Sequence, residues 1–267
     1  MRFFGLVALV AALAVPVAAQ EKWRLIWHDE FDGPIGAPPD PTLWVAESGA
    51  RGWGNHELEH YTKLPENASL DGDGHLVIMA LAKSNGVYTS ARLKTQDRFS
   101  VTYGKIEARM QIPYGQGVWP AFWMMGADFA DKGWPACGEI DIMENIGKEP
   151  DRVHGTVHGP GYSGAKGIGK PYAIDSGRFA DDYHVYAVEW SPQRVEFLVD
   201  EKSYHVVTPA SLPKGTQWVY NHPFFIILNM AVGGSWPGNP DETSVFPQKM
   251  LVDYVRVYEP LHQTTRE

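Results

Sequence analysis

Residues 138–145, Gly138-Glu139-Ile140-Asp141-Ile142-Met143-Glu144-Asn145, set three carboxylates close together in a stretch rich in β-forming residues. In an extended chain side chains alternate between faces, so Glu139 and Asp141 share one side and Ile140 and Ile142 the other. Uninterrupted alternation would carry Glu144 to the isoleucine side, where a lone carboxylate is costly. One extra residue at Ile142-Met143, a β-bulge, returns Glu144 to the face of the other two. Carboxylates in such a row raise one another's pKa, and at least one keeps its proton near neutrality. An ionised carboxylate beside a neutral carboxylic acid is the pair that glycoside hydrolysis uses. A solvated acidic strand or a cation site would share the pattern, so the surroundings must decide.

Those surroundings are aromatic. Trp119, Trp123 and Trp134 lie just upstream, and Trp53 and Trp236 sit in glycine-rich segments. Sugars offer apolar C–H faces that stack on such rings. Trp27, Trp44, Trp190 and Trp218 stand in strand-like or packed contexts and read as core, and Trp23 is unassigned. Cys137, the one cysteine, reads as a small buried hydrophobe rather than a catalytic thiol.

The elements that must carry these residues are strands. Short β-rich runs recur at residues 75–82, 105–112, 118–125, 139–143, 153–158, 183–190, 194–199, 224–229 and 251–258, separated by Gly, Pro, Asn or Asp. That rhythm predicts an all-β antiparallel sandwich or barrel, and no amphipathic helix stands out. In residues 105–112, Ile106, Ala108, Met110 and Ile112 form a dry face, and Lys105, Glu107, Arg109 and Gln111 a wet one.

Composition closes off other classes. At 267 residues and 44% hydrophobic, the chain can bury a core. A net charge of −9 with no basic run argues against nucleic acid as a partner. Residues 1–19 combine Arg2, an apolar run and a small-residue end at Val17-Ala18-Ala19, and read as a secretory signal peptide. The run is short for a membrane span, and no later stretch could cross a bilayer. The expected product is residues 20–267, a secreted or periplasmic monomer free of the membrane. Asn67-Ala68-Ser69 is a glycosylation sequon.

The stretch from Glu139 to Glu144 resembles the E-x-D-x-x-E signature of glycoside hydrolase family 16 in its bulged form. Residues 117–124 (GVWPAFWM) and 233–238 (GGSWPG) resemble its laminarinase branch, the endo-β-1,3-glucanases. So do residues 27–31 (WHDEF) and 252–258 (VDYVRVY), and the likeness covers essentially all of residues 20–267. The resemblance implies a β-jelly-roll sandwich with a concave substrate cleft, one catalytic domain, and a retaining double displacement with carboxyls about 5–5.5 Å apart. It implies Glu139 as nucleophile, Glu144 as acid/base, and Asp141 as the group that orients and tunes Glu139. It further implies sugar contacts from Asn55, Arg92, Trp119, Trp123, Trp134, His158, Asn229 and Trp236.

Catalysis would need no cofactor. A structural Ca2+ would take main-chain carbonyls of Glu30 and Gly74 together with Asp253, far from the chemistry. The implied partner is a β-glucan polysaccharide of laminarin type. Sister specificities stay open, namely mixed-linkage β-glucan and the galactans agar and carrageenan, as does transglycosylation. A non-catalytic glucan-binding protein would lack Glu139 and Glu144. A metal-dependent hydrolase finds no support in the spacing of His154 and His158.

Overall fold

The computed structural model describes residues 23–261, so the expected signal peptide, residues 1–19, lies outside the described residues. Seventeen strands and one short α-helix are found there. They are β1 (Trp23–Asp29), β2 (Val45–Ala46), β3 (Glu59–Tyr61), β4 (Ala68–Leu70), β5 (Leu76–Ala82), β6 (Tyr88–Ser90), β7 (Arg92–Lys94), β8 (Gly104–Gln111) and β9 (Val118–Gly126). Then follow α1 (Phe129–Lys132), β10 (Glu139–Glu144), β11 (Arg152–His158), β12 (Ile168–Ala173), β13 (His184–Ser191), β14 (Arg194–Val199), β15 (Lys202–Val207), β16 (Phe224–Val232) and β17 (Gln248–Pro260). Each of the nine runs expected from the sequence lies on one of the longer strands.

The strands form a jelly-roll sandwich of two sheets. The larger follows the order β15-β14-β13-β8-β17-β5-β6-β3, with β1 also on β17 and β4 on β5. The smaller follows β12-β11-β10-β9-β16-β7-β2. Pairing is antiparallel throughout apart from β3 with β6.

One core joins the sheets. Ile106, Ala108 and Met110 of β8 and Val252, Val255 and Val257 of β17 face Phe122 and Met124 of β9, Ile140 of β10 and Phe224, Ile226 and Leu228 of β16. Burying each such side chain contributes about 1.5–3 kcal/mol. Two positions depart from simple alternation. Glu107, on the expected wet face of β8, is buried, because Lys105 covers it at 2.6 Å and Tyr258 donates to it at 3.0 Å. β16 is buried on both faces, since Met125, Cys137, Phe225 and Ile227 form a satellite cluster on the outer side, with Trp123 packed against it. Cys137 is thus the packed hydrophobe its sequence context suggests.

Asn67 of the sequon is fully buried. Its amide donates to the Met79 carbonyl at 2.9 Å and its oxygen accepts from Thr62 at 2.6 Å. A side chain so engaged cannot accept a glycan in the folded protein.

Candidate active site

The smaller sheet turns its outer face, the one away from the shared core, toward the chemistry. Strand β10 is entered from Gly138, whose φ of +74° suits glycine and whose Cβ position lies 3.0 Å from Phe224. Its register against β9 runs Asp141 to Trp123, Met143 to Phe122 and Glu144 to Ala121, which leaves Ile142 as the extra residue. Ile142 and Met143 both point into the core. The bulge therefore lies where the carboxylate pattern requires it, and Glu139, Asp141 and Glu144 share the outer face.

Neighbouring strands complete the row. On β11, His158 stands opposite Glu139, Thr156 opposite Asp141 and His154 opposite Glu144. Gly155 lets β11 close on the ring beneath it, for a Cβ there would lie 2.4 Å from the Tyr204 hydroxyl. His158 Nε2 stands 3.1 Å from Asp141 Oδ2 and 3.7 Å from Glu139 Oε1. Trp119 Nε1 donates to Glu144 Oε1 at 3.2 Å.

All three carboxyls bind their protons more tightly than usual. For each the largest cause is burial, which penalises the charged form. The Asp141 charge adds to the effect on Glu139 and Glu144, while His158 opposes it. Glu144 is pushed well above the ordinary glutamate range. Raised together, the three can keep at least one proton near neutrality, as a proton donor requires. The donor atoms of Glu139, Asp141 and His158 lie within 4.8 Å of one another, so this is also the described group that could hold a metal ion.

The remaining expected sugar contacts fall into two groups beside the row. On one side Trp236 packs edge-on against Trp119 at 5.5 Å and against His154 at 4.9 Å, and Trp134 lies 6.3 Å from His158. Trp134 and Trp236 are exposed, as stacking platforms must be. On the other side Trp123 Nε1 donates to Asn229 Oδ1 at 2.7 Å, and the Arg92 guanidinium lies over both Trp123 and Trp53 at 4.8 and 5.0 Å. Asn55 donates to Glu57 at 3.0 Å rather than standing free.

Several members of this second group escaped the sequence reading. Glu47 holds Arg92 at 2.6 Å and Lys94 at 2.7 Å. Tyr61 accepts from Asn229 at 3.1 Å, and Glu57 and Glu59 lie behind it. The alternation Asn55, Glu57, Glu59, Tyr61 was the available signal.

Glu30 and Gly74 lie just beyond the ends of β1 and β5 that flank Asp253 on the other sheet. β1 pairs with β17 as far as Asp29 opposite Val255, and β5 as far as Leu76 opposite Val252. Between them one edge of β17 is unpaired at Asp253 and Tyr254, where Asp253 interrupts the register with β8. Carbonyls at such a gap, with one acidic side chain, are a donor set suited to a hard cation. One Asp253 oxygen is taken by Arg109 at 2.5 Å and the Glu30 carboxylate by Arg256, so main-chain oxygens would supply most of the ligands.

This fold and this acidic row define a carbohydrate-cleaving class. Residues 57–256 match the model of glycosyl hydrolases family 16, and the chain belongs to that family. It is 42% identical over 246 residues to a beta-glucanase of Rhodothermus marinus, covering 88% of this chain and 85% of that protein. Among solved structures, the laminarinase catalytic domain of Thermotoga maritima superposes with a TM-score of 0.84 at 47% identity, covering 91% of this chain and all of that one. The endo-beta-1,3-glucanase of Pyrococcus furiosus gives 0.84 at 48%, covering 90% and 95%.

Proposed function

We propose that the protein is a secreted, retaining endo-hydrolase of β-1,3-glucosidic linkages in laminarin-type glucans. The observation that carries this reading is the bulged row, with Glu139, Asp141 and Glu144 on one face and the indole of Trp119 on Glu144. Similarity to laminarinases supports the linkage.

In the first step a Glu139 oxygen attacks the anomeric carbon. The bond to the leaving glucosyl oxygen breaks, and that oxygen takes the proton of Glu144. The high proton affinity of Glu144 suits this role. Asp141 stands between the two with His158 at 3.1 Å, where it orients the nucleophile and opposes early loss of the Glu144 proton. In the second step the Glu144 carboxylate takes a proton from water. The hydroxide equivalent attacks the same carbon, and the Glu139 ester bond breaks. Two inversions leave the β configuration. Trp119, Trp123, Trp134 and Trp236 stack sugar faces, and Arg92, Asn55, Asn229 and His158 meet hydroxyls.

The test is reducing-sugar release from laminarin, mixed-linkage glucan and agarose, with NMR of the first product anomer. Laminarin should be cut fastest, internally, and with β product. An initial α product would reject the retaining mechanism, and inertness toward all three would reject the enzyme reading. A Ca2+ at the gap of β17 would stabilise the fold without taking part in the chemistry. A chelator should then lower the melting temperature and spare turnover, and an unchanged melting curve would reject the ion. Export should yield a mature chain starting at Gln20.

A further inference from the structure

Beneath the Trp123 side of the site lies a second carboxyl pair. Glu59 is 1% exposed. One of its oxygens accepts from the Val232 amide at 2.7 Å, while the other meets no donor among the described residues. The Glu57 carboxyl, two residues back along the chain, lies within hydrogen-bond reach of the Glu59 carboxyl. Glu57 in turn accepts from Asn55 at 3.0 Å and from the Tyr61 hydroxyl at 3.4 Å. Two carboxyl groups, both acceptors when ionised, can bond only if one carries a proton.

The bonds beyond Glu57 all point one way. Trp123 donates to Asn229, Asn229 to Tyr61 and Tyr61 to Glu57. We propose that Glu57 and Glu59 share one proton, and that this proton holds Trp123 in the orientation that binds sugar. Loss of the proton would set two carboxylates against each other, move Glu57 and take the acceptor from Tyr61. Both residues are positioning residues, since they act on the sugar through Trp123. The role rests on the glucanase reading given above.

The charges around the pair favour a single proton. Arg92, from β7, offsets the charge of Glu57, and it shares the single negative charge of Glu47 with Lys94, which leaves one net positive charge. Tyr61, from β3, is buried and keeps its proton. From β16 come the neutral Asn229 amide and the Val232 N–H. One cation can thus balance Glu57 but not Glu59 as well. Burial, followed by the Glu57 charge, pushes Glu59 up to about 8.

The experiment compares laminari-oligosaccharide binding by Glu139→Gln protein with and without Glu59→Gln. The amide at position 59 can donate to Glu57 at every pH. Between about pH 6 and about pH 9 the Kd of the single variant should rise about two- to tenfold, the weight of one hydrogen bond. In the double variant most of that rise should vanish. An equal rise in both proteins would overturn the shared proton and leave the glucanase reading standing. Absence of binding at every pH would overturn both. Carbon-13 NMR of the glutamate carboxyls tests the proton without sugar, for Glu59→Gln should remove one signal that titrates above neutrality. Its persistence would overturn the pair.

Discussion

The two outer faces of the sandwich treat carboxylates in opposite ways. On the larger sheet Lys105 covers Glu107, Arg109 meets Asp253, Arg194 meets Glu196 and Arg256 grips Glu30 with two bonds. The Arg256 hydrogen bonds hold Glu30 below the usual glutamate range. On the smaller sheet Glu139, Asp141 and Glu144 stand together, with His158 beside them and, among the described residues, no lysine or arginine bonded to them. Burial raises all three. A carboxylate with its own cation is fixed in one charge state and serves the fold. A carboxyl denied a cation in a dry place becomes a proton carrier, and the strain of crowding is kept where chemistry can use it.

The largest effect should come from neutralising one member of the row. On the proposed mechanism Glu139→Gln removes the attacking oxygen, and kcat on laminarin should drop by more than about a thousandfold. The same change relieves charge crowding, so the melting temperature should hold or rise. A variant that kept its rate would break the assignment. One that lost rate only because it unfolded would break the claim that the row is held at a cost in stability. Reducing-sugar assays and calorimetry on the same sample separate these outcomes.

Stability should follow pH with opposite sign at carboxyls denied a cation and at those given one. In the unfolded chain Glu139 and Glu59 would ionise near 4.5, whereas in the fold they hold their protons to about 8. The folded protein binds more protons between those values. The stability they contribute is complete below about 4.5 and is lost as pH rises through about 8. Glu30 runs the other way, since its lowered pKa adds stability at neutral pH that is lost as pH falls below its unfolded value. Melting temperature should therefore decline between about pH 5 and about pH 9, by about 3 °C or more. Glu59→Gln and Glu139→Gln should each flatten the decline, and a slope unchanged by both would place the protons elsewhere.

A smaller change probes the donor that binds Glu144. Trp119→Phe keeps an aromatic face but removes the indole N–H, which stabilises the ionised form of Glu144. The alkaline limb of kcat/KM should move to higher pH, and kcat/KM at neutral pH should fall about three- to tenfold, the scale of one hydrogen bond with some lost stacking. A limb that moved down would mean that Trp119 does not act on Glu144.

The row and its bulge were legible because strand alternation is local. A carboxylate that would otherwise enter an isoleucine face must be explained within six residues. The long strands were legible for the same reason, while β2, β3, β4, β6 and β7 span three residues or fewer and leave no periodic trace. The Trp123 side was only partly legible. Arg92 could be named, but the Glu47 that holds it lies 45 residues away, and Asn229 reaches Tyr61 across 168. Asn55, Glu57, Glu59 and Tyr61 do alternate, yet the glycines around Trp53 read as a loop and hid the pattern. The buried sequon failed similarly, because the partners of Asn67 on Met79 and Thr89 come from other strands.

The smallest effect should come from an exposed ion pair on the outer face of the larger sheet. Arg194 bonds Glu196 at 2.6 Å, but nearly half of its side chain is in water, at 48% exposure. Such a pair contributes about 0.2–1 kcal/mol, because solvent screens it and ordering a long side chain costs entropy. Glu196 also keeps the Ser203 hydroxyl after Arg194 is gone. Arg194→Ala should therefore lower the melting temperature by no more than about 3 °C, with less effect in high salt. Strand β14 stands near the edge of the larger sheet, away from the acidic row, so kcat and KM on laminarin should not change. A clear loss of rate would mean that the larger sheet's charges reach the site, and the division of labour between the two faces would fail.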